Sequence, residues 1–592
     1  LALGYILFGW LTENVNPRRL LSITAALEGG IALWALGFSS ILTVLINGTV
    51  DMQEGMQAAL FGLLLVLPSG ILMGGILPLL SEFFAHRDGD WVSSHSKLYG
   101  ANTLGGFLGV VLSTVVLLPI FGGHGAIQIA SAGNIIAAII FLALSNLCEF
   151  GDKKVRQIRE PVVSVRGLLL PLATSFLVGF AALSLQVIFV RIFALSLGST
   201  FYLLSLVLGV YFFWLALGGY LSVRRSGEVR ISPEKCVLIT CASLVVVGYL
   251  LQYATYANQL IRIQFSPEQS SLELYMMSLF GALSILLAVP VFCFGAFEPA
   301  LVKTLSERCE HEGRLVGWCY GWSTIGALVG AMTTSFILLS HFELSELYRG
   351  VLVATAVGAL LLTLWRRQIG LAVTASVLIF VSFFTPLFDT SRAGVGLVRF
   401  QHEAPFSYQG SAAFFDVATE RGEVLFAADG GAVTSVAMDF PYSIPPSRTI
   451  FINGRANGNT VDDRTNMNLL GVLGAIFASP EARSVGVLGF GTGMTVGAVG
   501  RFSKFQQLTV FEFDENAPNY APLFAEANGD IATDSRLSWK IGDALRLLQR
   551  DGEKYDVLVN RPLSPWMAGI ERLYSEEFYQ IVTASLAEDG VF

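Results

Sequence analysis

Long apolar runs follow one another through the first 388 residues, near 20–46, 58–84, 98–120, 124–147, 167–197, 199–222, 235–256, 275–302, 316–340, 344–365 and 369–388, and residues 1–11 read as the tail of another. About 20 apolar residues in a helix cross a hydrocarbon core of ~30 Å. The pattern therefore predicts a polytopic α-helical membrane bundle with the lipid bilayer as its solvent. Composition agrees: 53% of the chain is hydrophobic and 14% charged, against about 25% charged in soluble proteins. Leu1 already lies inside an apolar run and is not a methionine, so the chain reads as a piece of a longer one, with a further helix expected before it.

The charge is unevenly placed. Residues 389–592 hold 25 acidic and 16 basic residues, whereas the 20 acids and 21 bases before them nearly cancel. The C-terminal part is thus an acidic, water-soluble domain, of which no nucleic-acid partner is expected. In the apolar part the basic residues fall on one face: Arg18, Arg19, Arg87, Lys97, Lys153, Lys154, Arg156, Arg159, Arg166, Arg224, Arg225, Arg230, Lys235, Lys303, Arg308, Arg314, Arg366 and Arg367, against Arg262 and Arg349 on the other. The positive-inside rule makes that face cytoplasmic, in what is expected to be a bacterial cytoplasmic membrane. If 369–388 spans, the acidic domain emerges on the far side. The six cysteines (Cys148, Cys236, Cys241, Cys293, Cys309 and Cys319) show no metal-site spacing and read as small buried thiols.

The apolar part repeats itself. Gly74, Pro78, Tyr99, Gly100, Thr103, Gly105 and Gly109 recur 221 residues later as Gly295, Pro299, Tyr320, Gly321, Thr324, Gly326 and Gly330. Two copies of a six-helix unit account for this, the layout of major-facilitator-type transporters, with the small residues allowing close helix contact. Two readings stay open, a scaffold and a transporter. The ionisable candidates for a path through the bundle are Glu28, Arg191 and Glu298.

The domains expected are a first membrane repeat at 1–147, a basic linker at 148–166, a second repeat at 167–366, an additional apolar helix at 367–390, a small β-rich subdomain at 391–455 and an α/β domain at 456–592. In 396–454 short alternating runs (A-A-F-F-D-V, E-V-L-F, T-S-V-A-M, R-T-I-F-I-N-G) predict a small antiparallel sheet, closed by a hairpin at Ile452-Asn453-Gly454. Further on, Ser484 to Asp514 reads S-V-G-V-L-G-F-G-T-G-M-T and then L-T-V-F-E-F-D. An apolar run breaking into Gly489, Gly491 and Gly493 predicts a buried parallel strand entering a tight turn. Glu512, about twenty residues on, closes the next strand, the arrangement by which doubly wound sheets hold a ribose.

This stretch, followed in order by W-K-I-G-D-A-L-R-L (539–547), Y-D-V-L-V-N (555–560) and P-W-M-A-G-I-E-R-L-Y-S-E-E-F-Y (565–579), resembles the spermidine synthases. These are aminopropyltransferases built on the S-adenosylmethionine-dependent methyltransferase fold, and the likeness is to their membrane-fused branch. The resemblance implies an α/β seven-stranded, Rossmann-like domain after a small N-terminal β-sheet, with the last antiparallel strand pair falling after Phe592. It implies S-adenosylmethionine or its decarboxylated form as donor, a polyamine as acceptor and no metal. Carried over to matching positions, Gly489, Gly491, Thr492, Gly493, Glu512, Asp514, Gly542 and Asp543 form the donor side. Asp543 has a second reading as a helix N-cap.

The acceptor side departs from the family. Where relatives carry acids that serve as base and amine ligand, this chain has Arg561 and Ser564; in the helix that supplies a Tyr and a His or Gln it has Met467 and Asn468. Tyr408-Gln409 imitates a substrate-contacting pair but lies far upstream of its proper place, which Thr434 occupies. An arginine stays protonated and cannot act as a base, so no catalytic residue is assigned, with Asp514 and Asp463 as substitutes. Two functions stay open: a membrane-anchored S-adenosyl-dependent transferase of polyamine metabolism, or a catalytically silent nucleoside- or polyamine-binding or sensing domain on a transporter-like bundle. A plain membrane scaffold with a decayed enzyme tail is a third, and the oligomeric state is not legible.

Overall fold

The computed structural model describes every residue except 49–59, 88–90, 148–164, 225–227, 266–270, 307–311, 387, 400–401 and 562–568. Most of the basic linker, Cys148, Cys309, Ser564 and the P-W-M-A string lie outside the described residues. The N-terminal region is helical: α1 (Ala2–Leu11), α2 (Pro17–Gly48), α3 (Leu67–Arg87), α4 (Trp91–Leu112), α5 (Leu118–Leu147), α6 (Val165–Leu197), α7 (Phe201–Leu221), α8 (Pro233–Leu251), α9 (Ala254–Arg262), α10 (Leu272–Leu305), α11 (Glu312–Phe336), α12 (Leu344–Trp365) and α13 (Ile369–Phe383). Local chemistry sets several starts. Pro233 opens α8 where a missing N–H costs nothing, and Glu343 with Glu346 forms a capping box at α12.

Nine helical stretches among the described residues are long and apolar enough to cross a membrane, with Trp91–Leu147 counted as one. A bend at Gly122 (φ 63°, ψ −175°) divides that stretch between the runs expected at 98–120 and 124–147. Two expectations need correction. The run 235–256 stops at Leu251, and a turn at Tyr253 starts the separate helix α9. The run 369–388 is helical over only 15 residues, about 22 Å at 1.5 Å per residue, short of the ~30 Å core. It nevertheless returns along α12, because Arg349 Nε and Nη2 donate to Thr385 O at 2.8 and 2.7 Å.

Close helix contact depends on missing side chains. A Cβ on Gly4 of α1 would overlap Ile71 O of α3, and one on Gly218 of α7 would overlap Phe292 O of α10. Between the same helices, Gly74 lies against Leu1 O and Gly295 against Leu215 O, the two glycines that recur 221 residues apart in the sequence. Around them Leu185, Ile188, Ile192, Val207, Val210, Leu287 and Leu301 are fully buried.

The C-terminal region is α/β: α14 (Ser411–Arg421), β1 (Glu423–Asp429), β2 (Thr434–Phe440), β3 (Ser447–Ile452), β4 (Arg455–Asn459), α15 (Arg464–Phe477), β5 (Ser484–Leu488), α16 (Met494–Gly500), β6 (Gln507–Glu512), β7 (Leu537–Ile541), α17 (Ala544–Asp551), β8 (Tyr555–Asn560), α18 (Glu576–Ser585) and β9 (Leu586–Val591). Strands β1–β4 form an antiparallel sheet in sequence order. Asn453 (φ 49°) and Gly454 (φ 72°) make the expected hairpin turn between β3 and β4. The run A-A-F-F-D-V, expected as a strand, is instead part of α14. Phe414 and Phe415 are both buried, which neighbouring residues on one face of a helix can achieve and the opposed faces of an edge strand cannot.

The second sheet has the order β7-β6-β5-β8-β9 with every pairing parallel. It holds five strands, the fifth at Leu586–Val591; the last pair of the seven that the resemblance implied was expected after Phe592. Its core gathers Val485, Val487, Val510, Tyr520, Phe524 and Val557, all buried.

The two regions are docked. Arg191, near the C-terminal end of α6, donates to Gly430 O at 2.9 Å, to Gly431 O at 3.4 Å and to Ala432 O in the β1–β2 turn. Leu344 N at the start of α12 donates to Asp429 Oδ2 at 3.2 Å, and Tyr256 and Gln259 of α9 bond Ser407. All these groups lie at the helix ends opposite the basic loops.

Gly218→Ile is expected to force α7 off α10 and to destabilise the detergent-solubilised protein by about 1–3 kcal/mol or more, the scale of overpacking. Gly133→Ala, where nothing lies within 4 Å of the added atom, is expected to leave the unfolding temperature unchanged. Equal unfolding temperatures for the two variants would contradict the close approach.

Candidate functional site

The site is built at the carboxyl ends of β5, β6 and β7, the place where open α/β sheets receive ligands. Leaving the buried strand β5, the chain passes Gly489 (φ 88°), Gly491 (φ 57°) and Gly493 (φ 78°). Three left-handed residues in five exclude side chains from that path. Gly489 N donates to Phe511 O and Gly493 N to Phe490 O, both at 2.8 Å, so the turn is pinned to β6 and to itself.

Glu512 ends β6 beneath this turn. Its Oε2 accepts from Phe490 N at 2.6 Å and its Oε1 from Asp514 N at 2.9 Å. Burial pushes its pKa above the ordinary glutamate value, while the two N–H bonds pull against that rise. Asp514 is 3% exposed. It accepts from Ser435 Oγ of β2 at 2.5 Å and from Asn516 N at 2.9 Å, and burial raises its pKa too. Ser435, which sequence reasoning missed, thereby joins the small sheet to the donor side; only its position in a buried strand opposite Ile452 marks it.

Gly542 (φ 145°) follows β7, and its N–H donates to Glu512 O at 2.8 Å. Asp543 caps α17 through Leu545 N at 3.2 Å and pairs with Arg572 Nη2 at 3.2 Å. The N-cap reading of Asp543 is therefore realised. The residues expected on the donor side come together here, and Thr492 among them is fully buried with its hydroxyl donating to Met467 Sδ at 3.2 Å. Its hydroxyl is thus spent on packing beneath the turn.

On the acceptor side, Arg561 follows β8. Its Nη1 donates to Asn457 O at 2.7 Å and its Nη2 lies 3.7 Å from Asp463 Oδ1. Burial lowers its pKa while Asp463 opposes the shift. The guanidinium stands beside the glycine turn, 4.0 Å from where a Cβ on Gly491 would be. Asp463 also accepts from Asn459 N at 2.8 Å. Asn468 Oδ1 and Asn560 Oδ1 are buried without a hydrogen-bond partner among the described residues; Asn560, at the end of β8, was not singled out in the sequence. Thr434 is buried and bonded to Asp429 Oδ1 at 2.6 Å, so it offers no hydroxyl to a ligand. Tyr408 is 60% exposed, next to the Ser407 that docks on α9.

Residues 470–592 match the family model "Spermine/spermidine synthase domain". Among curated proteins, the chain is similar to polyamine aminopropyltransferase 2 of Streptomyces coelicolor, 26% identical over 310 residues, which are 50% of this chain and 51% of the relative. It is also similar to polyamine aminopropyltransferase 2 of Ralstonia nicotianae, 23% identical over 438 residues, 72% of this chain and 78% of that one. The chain spans about half the length of the Streptomyces relatives it matches. The 438 matched residues exceed the length of the C-terminal part, so that alignment runs into the helical region. Among solved structures, a spermidine synthase in complex with the transition-state analogue AdoDATO matches 28% of this chain and 56% of its own, at 19% identity and a TM-score of 0.26. The C-terminal region of this chain, with the glycine turn and Glu512 inside the matched residues, carries a spermidine synthase domain.

Proposed function

We propose that this chain is a membrane-anchored, spermidine-synthase-like protein whose C-terminal domain holds S-adenosylmethionine or its decarboxylated form and belongs to polyamine metabolism. The observation that carries the reading is Glu512. A buried carboxylate gripping the N–H of the residue inside a left-handed glycine turn presents one fixed acceptor to the hydroxyls of a ribose. The membrane reading, with two six-helix repeats, is supported by the long apolar helices and by the matching glycine contacts at Gly74 and Gly295.

Glu512→Ala is expected to weaken binding of an S-adenosyl nucleoside by about 1–3 kcal/mol, the cost of stranding a buried partner, in titration calorimetry on the full chain. Because the ligand needs the charged carboxylate and burial raises its pKa, affinity for the wild type should fall on acidification at a pH above the ordinary value of 4.5. No heat with any S-adenosyl compound on folded protein would sink the reading.

Aminopropyl transfer requires an amine nitrogen, stripped of a proton, to attack the propyl carbon beside a sulfonium, with the thioether leaving. A carboxylate base is typically worth about 10²- to 10⁴-fold. Arg561 stands at the family's base position and repels a protonated amine. The decarboxylated donor with 1,4-diaminobutane should therefore give spermidine at least about 10²-fold more slowly than a synthase with its acids, measured by chromatography of the products. Comparable turnover would show that another base serves.

The same guanidinium favours a second reading, a domain that binds nucleoside or polyamine without turning it over. Its position on the helix ends opposite the basic loops points the same way, since the positive-inside rule sets that side away from the cytoplasm. Cysteine at Ile444, a fully exposed residue, is expected to react with an impermeant thiol reagent in intact cells, and cysteine at Arg224, on the basic face, only after permeabilisation. Protection at 444 with labelling at 224 would reverse the orientation.

A further inference from the structure

The helical region holds a carboxyl group that nothing in the C-terminal domain explains. Glu298 of α10 is 5% exposed. Its Oε2 accepts from Ser175 Oγ of α6 at 3.4 Å, Ser323 of α11 stands beside the carboxyl, and its Oε1 has no partner in hydrogen-bond geometry among the described residues. No Lys or Arg pairs with it among the described residues. A carboxyl placed inside a bundle without a counter-charge is costly, and such groups mark ion or substrate paths. The sequence repeat sharpens the point: the position 221 residues earlier is Leu77, before Pro78, so Glu298-Pro299 replaces an apolar residue where the first copy keeps one.

Its neighbours are aromatic. Tyr5 of α1, Tyr99 of α4 and Tyr320 of α11 all lie within electrostatic reach of the Glu298 carboxyl. The Tyr5 and Tyr99 rings stand 5.7 and 5.3 Å from that of Tyr320. Counting along each helix, Tyr5, Tyr99, Ser175, Glu298 and Tyr320 all sit about 9–15 Å inside the basic-face end, at one depth and from five different helices. A polar line leads towards that face: Tyr320 Oη bonds His95 Nε2 at 3.2 Å, and His95 Nδ1 bonds Ser81 Oγ at 2.7 Å.

One carboxylate among three tyrosines and two serines is the wrong donor set for a hard metal ion, which takes six or more oxygens. It suits an organic ammonium ion, whose charge is shared between a carboxylate and ring quadrupoles within about 6 Å. We propose that Glu298, with Tyr5, Tyr99 and Tyr320, is a binding site for a primary alkylammonium ion inside the helical bundle, reached from the basic face past His95. The site is separate from the nucleoside site and rests on the membrane reading of the helical region.

The test is equilibrium binding of radiolabelled 1,4-diaminobutane to the full chain in lipid nanodiscs, with donor-nucleoside titration on the same samples. Glu298→Gln is expected to weaken diamine binding at least about tenfold, the scale of a lost charge-assisted contact. Tyr320→Leu should weaken it too, and Tyr320→Phe, which keeps the ring face, should retain most of it. Diamine binding unchanged in Glu298→Gln overturns the proposal. If that variant does not fold, unchanged binding in both Glu298→Asp and Tyr320→Leu does the same. Nucleoside binding without Glu298-dependent diamine binding sinks this inference and leaves the proposed function standing; the converse result spares this inference and sinks the nucleoside reading.

Discussion

The hydrogen bond from Phe490 N to Glu512 Oε2 is the contact on which the candidate site depends. Three left-handed glycines leave the turn after β5 with few side chains to hold it, so its shape is set by backbone partners: Phe511 O, Phe490 O and this carboxylate. A carboxylate accepting two N–H groups is oriented before any ligand arrives. The residue proposed to meet a ribose is therefore also a residue that holds the turn in place. Preorganisation of this kind lowers the cost of binding.

From that point the contacts run outward to the helical region without a gap. Glu512 holds Asp514 N, Asp514 accepts from Ser435 in β2, and the turn before β2 is gripped by Arg191 of α6. Gly431 N in the same turn donates to Glu515 Oε1 at 2.8 Å. The β1–β2 turn is thus shared property, bonded on one side to a membrane-type helix and on the other to the segment that follows the donor carboxylate. A tilt of α6 would therefore act on the proposed nucleoside site through these polar bonds.

How far the sequence could be read follows from where its signals are local. The glycine turn was legible because positive φ leaves only glycine, and Glu512 because it ends a strand at a fixed distance. The long helices were legible because lipid demands uninterrupted apolar length. Tertiary context hid the rest. Ala412–Val417 has an apolar pattern short enough for either element, and burial of both Phe414 and Phe415 decided for helix. Thr492 looked like a loop residue facing a ligand; the turn buries it against Met467 instead. Docking through Arg191 was invisible, since its partners are backbone carbonyls 240 residues away, which leave no side-chain pattern to read.

The replaced acids have a structural consequence that limits which other group can act as base. Asp463 spends one oxygen on Asn459 N and the other beside Arg561, so both oxygens already have partners within the protein. Asp514 is different. Burial raises its pKa, which strengthens it as a base, yet both its oxygens are already engaged by Ser435 and Asn516. To take a proton from an amine it must release Ser435, and with it the bond that fastens the small sheet to the donor strand. Catalysis by that route would be tied to movement of β2 and therefore to the Arg191 contact above it. A chain proposed to hold a nucleoside through backbone-held groups, while Asp514, the candidate base left among the described residues, also carries a structural bond, is built more firmly for holding a ligand than for turning one over.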